Sequence, residues 1–157
     1  MIALYSISKL AVSLWARYRR QFLIVALFER STRKTLFEIL KYAHENGCPL
    51  NEEICEAAAA GGHLEILKYV HEKGCPWYGE ICCFAASGGH LECLKYLHEK
   101  GCPWNDWTCS EAAKNGHLEV LKYAHESGCP WDKKTCSSAA CGYLECLKYA
   151  RENGCPN

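Results

Sequence analysis

A chain of 157 residues is one ordinary domain or a few small units stacked together. Its 49% hydrophobic and 23% charged content excludes a disordered chain. A formal net charge of zero leaves no overall field to draw nucleic acid, so none is expected as a partner.

That zero is uneven along the chain. Residues 1–34 hold seven basic residues against one acid, Glu29, while the rest holds 11 basic and 17 acidic residues, so +6 meets −6 near residue 34. The opening "MIALYSISKLAVSLWARYRR" has no basic stretch ahead of its apolar part and no clear small-residue cleavage site, unlike a secretory signal. The longest apolar run, "FLIVALF" at 22–28, is far short of the roughly 20 residues of a membrane span. The stripe Leu14, Trp15, Tyr18, Phe22 and Val25 has a helical period, which predicts a helix capping the end of a stack. A membrane-surface or organelle-targeting helix is the alternative for residues 1–34. The chain is otherwise expected to be intracellular and cytoplasmic, with reduced thiols.

From residue 35 onward the chain repeats itself. Gly-Cys-Pro begins at 47, 74, 101, 128 and 154; Gly-His-Leu-Glu begins at 62, 89 and 116 and returns as "GYLE" at 142; Leu-Lys-Tyr begins at 40, 67, 94, 121 and 147. Three landmarks in step define a half-unit at 35–49 and full units at about 50–76, 77–103, 104–130 and 131–156. In "HLEVLKYAHESG", Leu118, Leu121, Ala124 and His125 share one stripe and Glu119, Lys122 and Glu126 the other, which predicts a short amphipathic helix stopped at Gly128 and Pro130. "WTCSEAAKNG" predicts a shorter helix ended by Asn115-Gly116, with Ala112 and Ala113 small enough for close helix packing. Helices this short are marginal alone, so neighbouring units must supply the missing burial.

The run "AAKNGHLEVLKYAHESG" resembles the ankyrin repeat, with Ala112-Ala113, the Gly-His-Leu-Glu blocks and Gly128-Cys129-Pro130 on that family's Ala-Ala, Gly-His-x-Glu and Gly-Ala-Asp positions. The usual ankyrin unit has about 33 residues. Here the period is 27, the missing residues falling where the family builds a β-hairpin finger, and Trp107-Thr108 replace its Thr-Pro. The chain looks like the short ankyrin-type variant common in large families of giant-virus and protist proteins; if it is viral, its expected location is the host cytoplasm. The resemblance implies an all-α solenoid of stacked helix-turn-helix repeats, with shortened loops in place of fingers. It also implies a protein-interaction module rather than an enzyme.

Thirteen cysteines, an odd count, recur with histidines. Cys55, His63, His71 and Cys75 illustrate a recurring set of ligand types, and a zinc-binding Cys/His repeat is the alternative reading. Against it, Cys109 and its equivalents Cys55, Cys82 and Cys136 fall on the expected core face. The last unit also replaces His117 by Tyr143 and His125 by Arg151. The resemblance reads Gly-His as a turn and cap without metal. Equivalent cysteines of adjacent units, roughly 8–10 Å apart by helix packing, exceed the about 7 Å a disulfide spans. A pair closer in sequence, such as Cys102 with Cys109, stays open but is disfavoured in a reducing compartment. No phosphate loop, His-Glu-x-x-His or isolated nucleophile–base pair occurs, so neither catalysis nor a cofactor is expected.

Recognition is then assigned to the residues that vary between copies: "LNEEICEA" at 50–57, "WYGEICCF" at 77–84, "WNDWTCSE" at 104–111 and "WDKKTCSS" at 131–138. Tyr78, Trp107 and Asp106, which do not recur, are the expected contacts with another protein. Trp77, Trp104 and Trp131 recur one period apart, which favours packing over hot-spot contact, though they remain candidates. Lys68, Lys95, Lys122 and Lys148, each near a Glu at helical spacing, read as a solvated face. The expected assembly is a monomer. Its last unit ends in Gly-Cys-Pro-Asn where another first helix would begin, which points to a shortened array.

Overall fold

The computed structural model describes residues 33–78, 80–140 and 143–156. Residues 1–32, where a cap or targeting helix is expected, lie outside the described residues. Among the described residues are nine helices and no strand: α1 (Arg33–Glu45), α2 (Glu52–Ala60), α3 (Leu64–Glu72), α4 (Glu80–Ser87), α5 (Leu91–Glu99), α6 (Asp106–Lys114), α7 (Leu118–Glu126), α8 (Lys133–Ala139) and α9 (Leu144–Glu152). No helix among the described residues is long and apolar enough to cross a membrane.

The helices form two rows. The first helices α2, α4, α6 and α8 pack on one another in series, and the second helices α3, α5, α7 and α9 do the same, each unit's pair closing across the rows. Helix α1 carries Leu40-Lys41-Tyr42 in the register of a second helix and joins that row where Phe37 meets Tyr69 edge-on at 5.6 Å. The first row is lined with small side chains: Ala58, Ala59, Ala85, Ala86, Ala112 and Ala113 are fully buried. The second row supplies bulk through Ile66, Leu67, Val70, Leu94, Leu97, Val120 and Leu121, also buried. This is an all-α repeat solenoid, held by burial between neighbouring units.

Among the described residues, α2, α6 and α8 start on a side-chain cap and α2, α4 and α6 stop at a left-handed glycine. Asn51, Asn105 and Asp132 accept hydrogen bonds from the backbone N–H of Ile54, Trp107 and Lys134, at 3.3, 3.1 and 2.8 Å, satisfying donors that a helix start leaves free. At the far end the chain turns through Gly62, Gly89 or Gly116, whose φ of +67, +73 and +75° is the left-handed region. The next N–H, of His63, His90 or His117, then reaches back to Ala58, Ala85 or Ala112 at 2.8–2.9 Å.

The histidines correct one expectation. None of His63, His90 and His117 caps its helix through its side chain. The imidazoles of His90 and His117 instead reach into the preceding unit, where Nε2 donates to the carbonyl of Ala60 and of Ser87, each at 2.9 Å. Each ring lies over the preceding turn, so a Cβ added to Gly62 or Gly89 would meet His90 or His117 Nδ1 at 2.5 Å. The Gly-His pair is therefore a latch between units.

Candidate recognition surface

On the first-helix row the recurring cysteine faces in, as does the alanine pair of α2, α4 and α6, and the outward side carries residues that differ from copy to copy. In α6, Thr108, Cys109, Ala112 and Ala113 are buried, leaving Trp107, Ser110, Glu111 and Lys114 on the open side. Trp107 is 53% exposed and Tyr78, just ahead of α4, is 55% exposed. Asp106 is half-buried in the first turn of α6, and Phe84 half-buried on α4.

The charge of this row changes along the stack. Glu52, Glu53 and Glu80 are exposed on α2 and α4, around a half-buried Glu56. Partial burial, and then repulsion from Glu52, Glu53 and Glu80, holds the Glu56 carboxyl above its ordinary value. Helix α8 instead exposes Lys133 and Lys134. Between these poles a polar cluster ties α4 to α6: Ser87 Oγ donates to Glu111 Oε2 at 3.3 Å, Asn115 Nδ2 donates to Ser87 Oγ at 3.2 Å, and Lys114 pairs with Glu111 at 3.0 Å.

The recurring tryptophans lie elsewhere. Trp104 stacks on His98 at 3.9 Å and Trp131 on His125 at 3.6 Å, while Trp77 meets His71 edge-on at 4.1 Å. The same indoles contact Tyr96, Tyr123 and Tyr149 of the following second helices at 6.0–6.3 Å. All three are half-buried, and each bridges two units across the loop. The constant six-residue step from His71, His98 and His125 to the indole was visible in the sequence as the signal for these stacks. On the second-helix face, Lys95, Lys122 and Lys148 pair with Glu92, Glu119 and Glu145 at 2.9–3.1 Å. Lys68 lies over the Tyr96 ring at 5.7 Å.

The Cys/His set does not converge as four ligands. Cys55 Sγ donates to Cys75 Sγ at 3.1 Å, but His71 faces Trp77 and the His63 ring lies over the Gly61 turn. Among the described residues, no three Cys, His, Asp or Glu side chains gather where they would hold a metal ion. The partner of Cys102 is Cys82, twenty residues back, rather than Cys109. The hydrogen bond to Cys102 and then burial push the Cys82 thiol up, and the same bond lowers Cys102. Bonding to Cys129, then burial, likewise raises Cys109. The sequence marked Cys55, Cys82, Cys109 and Cys136 as core residues, which they are, and left Cys102 open to pairing with Cys109, whereas Cys102 lies against Cys82.

A family model described as ankyrin repeats (many copies) matches residues 82–125, from within α4 to the last turns of α7. No curated protein matches the chain.

Proposed function

We propose that this chain, an all-α repeat solenoid whose residues 82–125 match a family model of ankyrin repeats, is a non-enzymatic scaffold that binds another protein along the first-helix row. The carrying observation is a division of labour between the rows. Leu-Lys-Tyr and the Glu that precedes it stay fixed on the second helices, while the exposed residues of the first-helix segments, Glu52 and Glu53, Tyr78 and Glu80, Trp107, and Lys133, Lys134 and Ser137, change charge, size and aromaticity. Packing alone requires no such variety at exposed positions.

Tyr78 and Trp107 are the expected anchors, with Asp106 beside them. Large amphipathic rings lose little entropy on binding and dominate interface energies. The acidic pole at Glu52, Glu53 and Glu80 and the basic pole at Lys133 and Lys134 would orient an extended partner segment, its cations toward α2 and its acids toward α8. Trp77, Trp104 and Trp131 act by holding the loops in place. The protein works as a monomer in the cytoplasm on this reading.

Affinity capture from cells with the full chain, followed by titration of the recovered protein, tests it. A Tyr78→Ser/Trp107→Ser chain should bind the partner at least about tenfold more weakly, as loss of an aromatic hot spot predicts. A chain changed on the second-helix face, Glu92→Ser/Glu119→Ser, should bind as the parent does. Equal loss in both, or loss in the second alone, would remove the first-helix row as the binding surface.

A further inference from the structure

We propose that each full unit carries a redox-modification site, a dithiol that closes to a disulfide between its first helix and the loop after its second helix. The four pairs are Cys55–Cys75, Cys82–Cys102, Cys109–Cys129 and Cys136–Cys155.

The geometry is the first support. Cys55 and Cys75 Sγ are 3.1 Å apart, so the sulfurs need approach by only about 1 Å to reach bonding distance. In the second and fourth pairs the helix thiol donates toward the loop cysteine's own carbonyl, Cys82 to Cys102 at 4.0 Å and Cys136 to Cys155 at 3.9 Å, and Cys129 lies close enough to Cys109 to raise that thiol. Backbone bonds place the loop cysteine identically in every copy. The N–H of Cys75, Cys102, Cys129 and Cys155 binds the carbonyl of Val70, Leu97, Ala124 and Ala150 at 2.9–3.0 Å. Three of these thiols also donate toward a carbonyl beside the first helix's start: Cys102 to Tyr78 at 3.7 Å, Cys129 to Asn105 at 3.2 Å and Cys155 to Asp132 at 3.2 Å.

Composition of the core is the second, independent support. At neighbouring buried positions the copies exchange hydrophobes freely: Ile66, Cys93, Val120 and Cys146 occupy one site, and Val70, Leu97, Ala124 and Ala150 another. A cysteine serving only as a small hydrophobe is interchangeable in this way, as Cys93 and Cys146 show. Both members of each sulfur pair are nevertheless cysteine in all four units. Packing volume does not require two sulfurs in contact; a reversible bond does.

The chemistry balances with a low-molecular-weight disulfide as oxidant. The loop cysteine, as thiolate, attacks one sulfur of the small disulfide, forming a mixed disulfide and expelling one small thiolate. The helix cysteine gives up its proton and displaces the second small thiolate. Two protein S–H bonds and one S–S bond become one protein S–S bond and two small thiols. In the Cys82–Cys102 pair the lowered loop thiol and raised helix thiol fit this order, whereas burial raises the loop thiols Cys75 and Cys155 and slows their attack. Each bond would fasten the entry of a unit to its exit, leaving the exposed first-helix face unaltered.

The test is exposure of the native full chain to glutathione disulfide, acid quench, alkylation of remaining thiols and peptide mapping. Four same-unit links are expected, with oxidation faster as pH rises because the thiolate attacks. Cys48 is the internal control. No cysteine stands twenty residues before it, where Phe28 lies, so it should end as a glutathione adduct or a free thiol. In Cys82→Ala, Cys102 should hold glutathione as a mixed disulfide while the other three links still form. The oxidised chain should keep its helicity and melt several degrees above the reduced chain. Links between units, adducts on both members of a pair, or thiols that stay unreacted in the folded chain would each overturn the proposal.

Discussion

The two ends of the described stack have the same fold and different surroundings. In the unit of α2 and α3, Leu67 is 1% exposed, because α5 of the next unit covers the row it belongs to. In the unit of α8 and α9 its counterpart Leu147 is only half-buried, Tyr143 is 45% exposed and Leu144 is 61% exposed. Among the described residues nothing packs on the far side of α9. The same tripeptide Leu-Lys-Tyr is thus core at one end and partly surface at the other. Burial in this molecule is conferred by the next unit, not by the residue's own helix.

The largest expected effect breaks that comparison directly. Leu67→Ala should cost about 2–5 kcal/mol, because a fully packed leucine leaves a cavity that its neighbours fill only in part. Leu147→Ala removes a side chain already half in water and should cost about 1–2 kcal/mol. Urea unfolding followed by circular dichroism measures both. Equal losses would mean that α9 gains its stability within its own unit, and the nearest-neighbour account would fail.

A glycine pair sharpens the same point at smaller scale. Gly62 and Gly74 both have left-handed φ, +67 and +78°, so alanine at either pays about 1–2 kcal/mol of backbone strain. Only at Gly62 does the new Cβ meet the next unit, at 2.5 Å from His90 Nδ1; at Gly74 it meets open space. Gly62→Ala should therefore destabilise more than Gly74→Ala by thermal melting. The excess should shrink when His90→Ala is added, since the clash and the latch disappear together. If the two glycine substitutions cost the same, the imidazole moves aside without penalty and the latch is loose.

How much of this was legible follows from which interactions are periodic. The register of Leu40, Leu67, Leu94, Leu121 and Leu147, the alanine pairs and the closing glycines marked the helices and the solenoid, because burial against identical neighbours imposes an identical pattern on every copy. His90 and His117 were placed correctly at the turn but assigned the wrong act. A side chain bonding thirty residues back leaves the same periodic mark as one capping its own helix. Cys82 was legible as core, while its contact with Cys102 depends on the loop's path, which no spacing encodes. At the candidate surface, variation singled out Tyr78 and Trp107. The polar cluster of Ser87, Glu111 and Asn115 joins residues that lack any repeating signature, so only coordinates reveal it.

The smallest effect contrasts the acidic end of the first-helix row with the basic end. The folded state holds the Glu56 proton more tightly than the unfolded chain does, first through partial burial and then through Glu52, Glu53 and Glu80. Below the unfolded carboxylate range, near about 4.3, both states are protonated and Glu56 costs the fold nothing. As pH rises the unfolded chain ionises first, so stability falls until the folded group has ionised too. Glu56→Gln should then match the parent near the acid limit and be slightly more stable at neutral pH. Added salt should narrow the gap by screening the exposed glutamates. A Gln variant less stable than the parent at neutral pH would show that Glu56 has a favourable partner. The α2 end would then be an internally compensated cluster rather than an acidic pole opposite the cations Lys133 and Lys134 at the other end.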